Sequence, residues 1–162
     1  MTMTKTPPLP DATIGRLMGL LETMRDTPGP DDMYRLAGSL QLELDDLVPL
    51  IDAAELLGLI EVREGDYELT PVGRRMADAE EKERKALFRD RVRDVPLVYL
   101  IVSRLAESAQ GQVPREEIRE AMHGHFSRKR SERQIDTAID WGRYAELFDY
   151  DADAQDFVRV NV

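Results

Sequence analysis

The chain has 162 residues, 42% hydrophobic and 33% charged, which supplies a core beneath a well-charged surface and excludes wholesale disorder. Its longest apolar run, residues 95–102, is too short to cross a bilayer, and "MTMTKTPPLP" has no apolar signal segment; with no cysteine for disulfides, thiol catalysis or metal sites, a cytoplasmic home is expected. The net charge of −10 is uneven: residues 1–80 hold 7 Lys/Arg against 16 Asp/Glu, residues 81–162 hold 15 against 16, so contact with a phosphate backbone needs a local basic patch.

Residues 1–10 read as a flexible Pro/Thr tail. In "DATIGRLMGLLETMRD", Ile14, Leu17, Met18, Leu21 and Met24 (or Leu20) recur at helical spacing, with Asp11 or Thr13 as N-cap. Pro28, Gly29 and Pro30 stop that helix. "DDMYRLAGSL" is a short second helix. "ELDDLVPLIDAAELLG" is a third, with Leu44, Leu47, Val48, Ile51, Ala54 and Leu57 or Leu56 inward, Pro49 near its start and Gly58 as C-cap. "LIEVREGDYELT" alternates apolar and polar residues about Glu64-Gly65-Asp66 and reads as a hairpin. The following "TPVGRRMADAEEKERKALFRDRVRD" reads as a polar helix with pairs such as Glu81/Lys85, a connector between modules.

The second half repeats the plan. Helices are expected in "VPLVYLIVSRLAESA", in "PREEIREAMHGHF" with Pro114 near its start, and in "SERQIDTAIDWGRYAEL"; "LFDYDADAQDFVRVNV" supplies a hairpin with an acidic loop. Residues 50–62 align with residues 138–150 at a constant offset of 88, matching Ile51/Ile139, Asp52/Asp140, Leu59/Leu147, Ile60/Phe148 and Glu61/Asp149. The expected fold is mainly α with small β-hairpins, two tandem winged-helix units joined by a helix. The boundaries are a tail at 1–10, a first unit at 11–78, a connector at 79–94 and a second unit at 95–162.

Catalytic motifs are missing: there is no GxxxxGK[ST], GxGxxG or GxSxG. His123 and His125 form one HxH pair without a third or fourth ligand, and read as a helix-end loop. The chain is therefore expected to be no enzyme and to take no cofactor or metal. Candidate contact residues are few. Arg128, Lys129, Arg130 and Arg133 crowd the start of the last helix, where a winged helix meets the major groove. Against DNA stand Glu43, Asp45 and Asp46 at the equivalent end of the first unit and the acidic wing "DADAQD". Trp141, off the centre of its apolar stripe, either closes the core or anchors a partner, with Tyr144 beside it. Gly142 weakens the helix and implies a close backbone approach there.

The segments "LPDATIGRLMGLLETM", "DDMYRLAGSLQLELDDLVPLIDAAELLGLIEV", "YELTPVGRRMADA", "KERKALFRDRVRDVPLV" and above all "QIDTAIDWGRYAELFDYD" together resemble the AAA-associated C-terminal domain, over about residues 9–153. That domain follows the nucleotide-binding domain of ABC transporter ATPases of the nitrate/sulfonate/taurine import type. The resemblance implies an accessory or regulatory module working through protein–protein contacts, with no catalytic residue to carry over. The implied partners are a transporter ATPase or a related protein, or a second copy in a homodimer, with the membrane reached only through a transporter; a winged-helix DNA-binding regulator is the alternative. The sequence departs from the family pattern in lacking Walker motifs, and in carrying "RKR" where an acidic run is expected before "ERQ".

Overall fold

The structure, a computed structural model, describes residues 8–27 and 29–160. The start of the expected tail, Pro28 of the first helix break and the end of the last hairpin lie outside the described residues. Mainly helical with small antiparallel sheets, the chain divides into two compact units: residues 10–88, and residues 89–160 together with 8 and 9.

In the first unit, α1 (Ile14–Asp26) starts at Thr13, whose hydroxyl accepts from the Arg16 N–H, and buries Leu17, Met18, Leu20, Leu21 and Met24. Burying both Leu20 and Leu21 gives α1 a wide apolar stripe. It packs on α2 (Met33–Leu40), α3 (Leu44–Leu56) and α4 (Pro71–Asp78). The inward face of α3 is Leu47, Leu50, Ile51, Ala53 and Ala54, followed by Leu57. Two sequence expectations are corrected here. Val48 is 39% exposed rather than inward, because Leu50 and Ala53 take the core-facing positions; of the pair Leu57 or Leu56 it is Leu57 that is buried, Leu56 being 39% exposed. Pro49 is the sixth residue of α3, beyond the first turn, so it removes a hydrogen bond within the helix. Strands β1 (Ile60–Arg63) and β2 (Asp66–Leu69) pair antiparallel. Glu64 and Gly65, both at positive φ, make the two-residue turn that suits the twist of a hairpin. A further bridge, unforeseen, joins Asp31 to Tyr67 through reciprocal backbone hydrogen bonds of 2.8 and 3.1 Å.

The polar stretch after β2 is two helices, not one. Thr70 caps α4 by accepting from the Gly73 N–H, and the backbone turns extended at Ala79 before α5 (Glu81–Val92) begins. The break is held by guanidinium donors on the last carbonyls of α4: Arg25 to Ala77 O at 2.6 Å, and Arg84 to Met76 O and Ala77 O at 3.1 Å each. These satisfy acceptors a helix end leaves open and place positive charge where the helix dipole favours it. The division between the units falls within α5, between Phe88 and Arg89.

The second unit runs α6 (Pro96–Glu107), β3 (Gln112–Pro114), α7 (Arg115–Met122), α8 (Arg128–Tyr144), β4 (Asp149–Asp151) and β5 (Asp156–Val158). Its sheet has the order β3–β5–β4, antiparallel throughout. Strand β3 is absent from the sequence reading, which puts Pro114 at the start of a helix: three residues are too few for alternation to show, yet Val113 is buried opposite Phe157. Leu9 is buried too, its N–H donating to Gln134 Oε1 at 3.0 Å, so the expected flexible tail does not extend through residue 9.

The repeat at offset 88 carries the same helix ending twice. After α3, the Gly58 N–H reaches Glu55 O and the Leu59 N–H reaches Ala54 O at 2.8 Å; after α8, Glu146 reaches Arg143 O and Leu147 reaches Gly142 O at 2.9 Å. This is the Schellman pattern, which requires a left-handed residue in the middle. Gly58 adopts it at φ 72° and Glu146 at φ 58°. Gly58→Ala is expected to cost about 1 kcal/mol, since a Cβ disfavours this region, and a denaturant titration with unchanged slope would record it.

Candidate functional site

Arg128, Lys129 and Arg130 form the first turn of α8, and Arg133 follows one turn on; all four are exposed. The Ser127 hydroxyl caps the turn by accepting from the Arg130 N–H at 3.2 Å, and the Arg130 guanidinium lies 5.5 Å over the Phe126 ring. Positive charge at a helix N-terminus opposes the macrodipole at roughly 0.3–1 kcal/mol per group. No carboxylate among the described residues offsets it: none of the four cations has an ion pair. By contrast Arg104, Arg115, Arg119 and Arg143 of the same unit are each paired with a carboxylate.

Glu132, the single acid among these cations in sequence, is engaged elsewhere. Arg115 donates to its carboxylate at 2.6 and 3.1 Å and to Asp136 at 2.9 Å, while Arg119 lies 3.6 Å from its other oxygen. Burial opposes the charge on Arg115, but hydrogen bonds with Tyr150, Glu132 and Asp136 outweigh it and raise the pKa further above its ordinary value. Sequence reasoning missed Arg115. The available signal was Glu132 and Asp136 at i and i+4, a like-charged pair on one helix face that calls for a cation from another element.

A cleft of about 700 Å³ lies beside the cationic turn, between α7 and the start of α8. Arg128 and the otherwise buried Ser131 line it, with Arg119, Glu120, His123 and Phe126. His123 and His125 sit at the end of α7, and the described residues contain no group of three or more His, Cys, Asp or Glu placed to hold a metal ion.

Trp141 and Tyr144 stand apart from this turn, in the C-terminal half of α8. Trp141 is fully buried, which corrects its candidacy as a surface contact: it fills the core of the second unit. Tyr144 is half-buried. The close approach anticipated at Gly142 is the Phe148 ring, which leaves no room for a Cβ.

The third helix of the first unit has the opposite character. Asp45, Asp46, Asp52 and Glu55 are exposed on α3, and Asp52 and Glu55 act, after burial, to raise the Tyr67 pKa. Among the described residues no helix is long and apolar enough to cross a membrane.

Two solved structures are similar to the chain. One is CalO1, a methyltransferase in calicheamicin biosynthesis in its SAH-bound form, at 15% identity over 85% of this chain, with a TM-score of 0.40. The other is RosA from Streptomyces davawensis, an N,N-8-amino-8-demethyl-D-riboflavin dimethyltransferase, at 21% identity over 78% of this chain, with a TM-score of 0.35. The chain spans 41% and 39% of the length of those two proteins. Both are enzymes, and against them the expectation that this chain is no enzyme is withdrawn; missing motifs do not carry that far. Similarity at this level also carries no argument for methyl transfer. No curated protein matches the chain. The model of the C-terminal AAA-associated domain matches residues 34–151, from α2 into β4 and across both third helices, and the chain belongs to that family.

Proposed function

We propose that the chain is an accessory, regulatory module of an ABC importer ATPase of the nitrate/sulfonate/taurine type, or a stand-alone relative of such a module. It works in the cytoplasm through protein–protein contacts. The observation that carries this reading is the first turn of α8: exposed cations, wrong-signed for their helix end and without an ion pair among the described residues, beside an open cleft. Charge kept at a local cost is charge available to a partner. Family membership supports the choice of an ATPase as that partner.

We also read both units as winged helices, tandem and joined through α5. The order α6–β3–α7–α8–β4–β5 with sheet order β3–β5–β4 supports this for the second unit, and the Asp31–Tyr67 bridge ahead of α2 supports it for the first. That arrangement, with cations at the start of the third helix, favours duplex DNA as a second reading. Acidic Asp151, Asp153 and Asp156 around the β4–β5 turn count against it.

The test is capture of importer ATPases from native lysate, comparing wild type with the triple variant Arg128→Glu, Lys129→Glu, Arg130→Glu. The variant should lose capture at least tenfold while melting no lower than wild type, because the reversed charges suit the helix dipole. Equal capture by both proteins sinks the proposal. Salt-sensitive duplex binding by wild type alone, with no ATPase captured, would instead favour the DNA reading.

A further inference from the structure

The solvent face of α3 carries Asp45, Val48, Asp52 and Glu55 at spacings of three, four and three residues, with Leu56 at its edge. All are exposed, and none of the carboxylates has an ion pair among the described residues. Asp45 in the first turn suits the helix dipole, but Asp52 and Glu55 lie toward the C-terminal end, where negative charge is unfavourable. Val48 and Leu56 at 39% exposure add apolar surface to the same face. This is an amphipathic face whose carboxylates, Asp52 and Glu55 near enough to Tyr67 to act, after burial, to raise its pKa, have no cation partner among the described residues.

The two third helices are therefore faulted in opposite senses. One keeps unpaired cations at its N-terminal end, the other unpaired carboxylates toward its C-terminal end. We infer that the α3 face of one copy of this chain docks the first turn of α8 of a second copy, the Asp52 and Glu55 carboxylates receiving Arg128, Lys129 and Arg130 while Val48 and Leu56 cover the aliphatic stems. Guanidinium forks match carboxylates bidentately, and long cationic side chains lay apolar stems along such a surface. The inference rests on reading the α8 turn as a protein-contact surface and names a second occupant for it, one that would compete with the ATPase. One helix face is a small contact, so the association belongs to the weak, transient class.

Sedimentation equilibrium on the full chain at high concentration tests this. Wild type should associate in about 20 mM salt and weaken at least tenfold in about 500 mM, as screening removes the attraction. The variant Arg128→Glu, Lys129→Glu, Arg130→Glu and the variant Asp52→Lys, Glu55→Lys should each be monomeric. An equimolar mixture of the two should associate again, because each retains the surface that the other lacks or reversed charges meet. Both variants relieve an unfavourable helix end, so loss of association would not reflect unfolding, and circular dichroism melting checks that. A wild type that stays monomeric in low salt overturns the inference, as does association undiminished in either variant. The two proposals fail separately: if the α8 variant loses ATPase capture but wild type never self-associates, self-docking falls and the proposed function stands.

Discussion

Trp141→Ala should destabilise the second unit by about 3–5 kcal/mol, the range for deleting a fully buried aromatic side chain. Trp141 is completely enclosed in a unit whose other large buried side chains include Phe148 and Phe157. A tryptophan held at a surface for a partner would cost far less stability on truncation and far more affinity. Total stability of a domain is only about 5–15 kcal/mol, so the alanine variant sits near the limit of folding. Trp141→Phe, which leaves a smaller void, keeps the comparison measurable. Denaturant midpoints by circular dichroism for both variants check the prediction, and a midpoint unchanged in Trp141→Ala would contradict the packing described for α8.

Gly142→Ala should cost about 2 kcal/mol, although alanine is the better helix former by about 1 kcal/mol. The reason is the Phe148 ring, whose Cζ would lie 2.0 Å from the new Cβ, with two further ring carbons at 2.3 and 2.7 Å. The ring has little room to retreat. Its edge meets Phe157 at a centroid distance of 5.5 Å and an interplanar angle of 82°, and Phe157 in turn meets Tyr150 at 5.1 Å. Overpacking of this kind typically costs about 1–3 kcal/mol and more when the neighbours are fixed. The first unit shows the alternative solution at the same offset, with Ala54 where the second has Gly142 and Ile60 where the second has Phe148. Gly142→Ala combined with Phe148→Ile should therefore cost less than the sum of the two single changes, since the pair shares one contact. Strict additivity would mean that the ring is not what makes glycine necessary.

Much of the fold could be read from the chain because its helices announce themselves locally. Thr13 before α1, Pro71 at the start of α4 and Gly58 after α3 are short-range signals, and Glu64-Gly65 marks the hairpin turn. The misreadings have a common physical root: each depends on something distant in sequence. Val48 faces solvent because Leu50 and Ala53 claim the core, which periodicity alone does not decide over so apolar a helix. Strand β3 exists because β5 pairs with it, and the break between α4 and α5 is held by Arg25 from α1 as well as by Arg84. Within the candidate site, the cationic turn was legible as composition. What made it unusual was not: Glu132, adjacent in sequence, belongs to Arg115 in space.

The burial of Trp141 has a spectroscopic consequence. As the chain's sole tryptophan, it makes intrinsic fluorescence a reporter on one unit alone, emitting from an apolar setting while that unit is folded and shifting to the red when water reaches the indole. Far-ultraviolet circular dichroism averages the helices of both units. Comparing the two signals along one melt therefore measures whether the tandem halves unfold together or in sequence, without cutting the chain or adding a label.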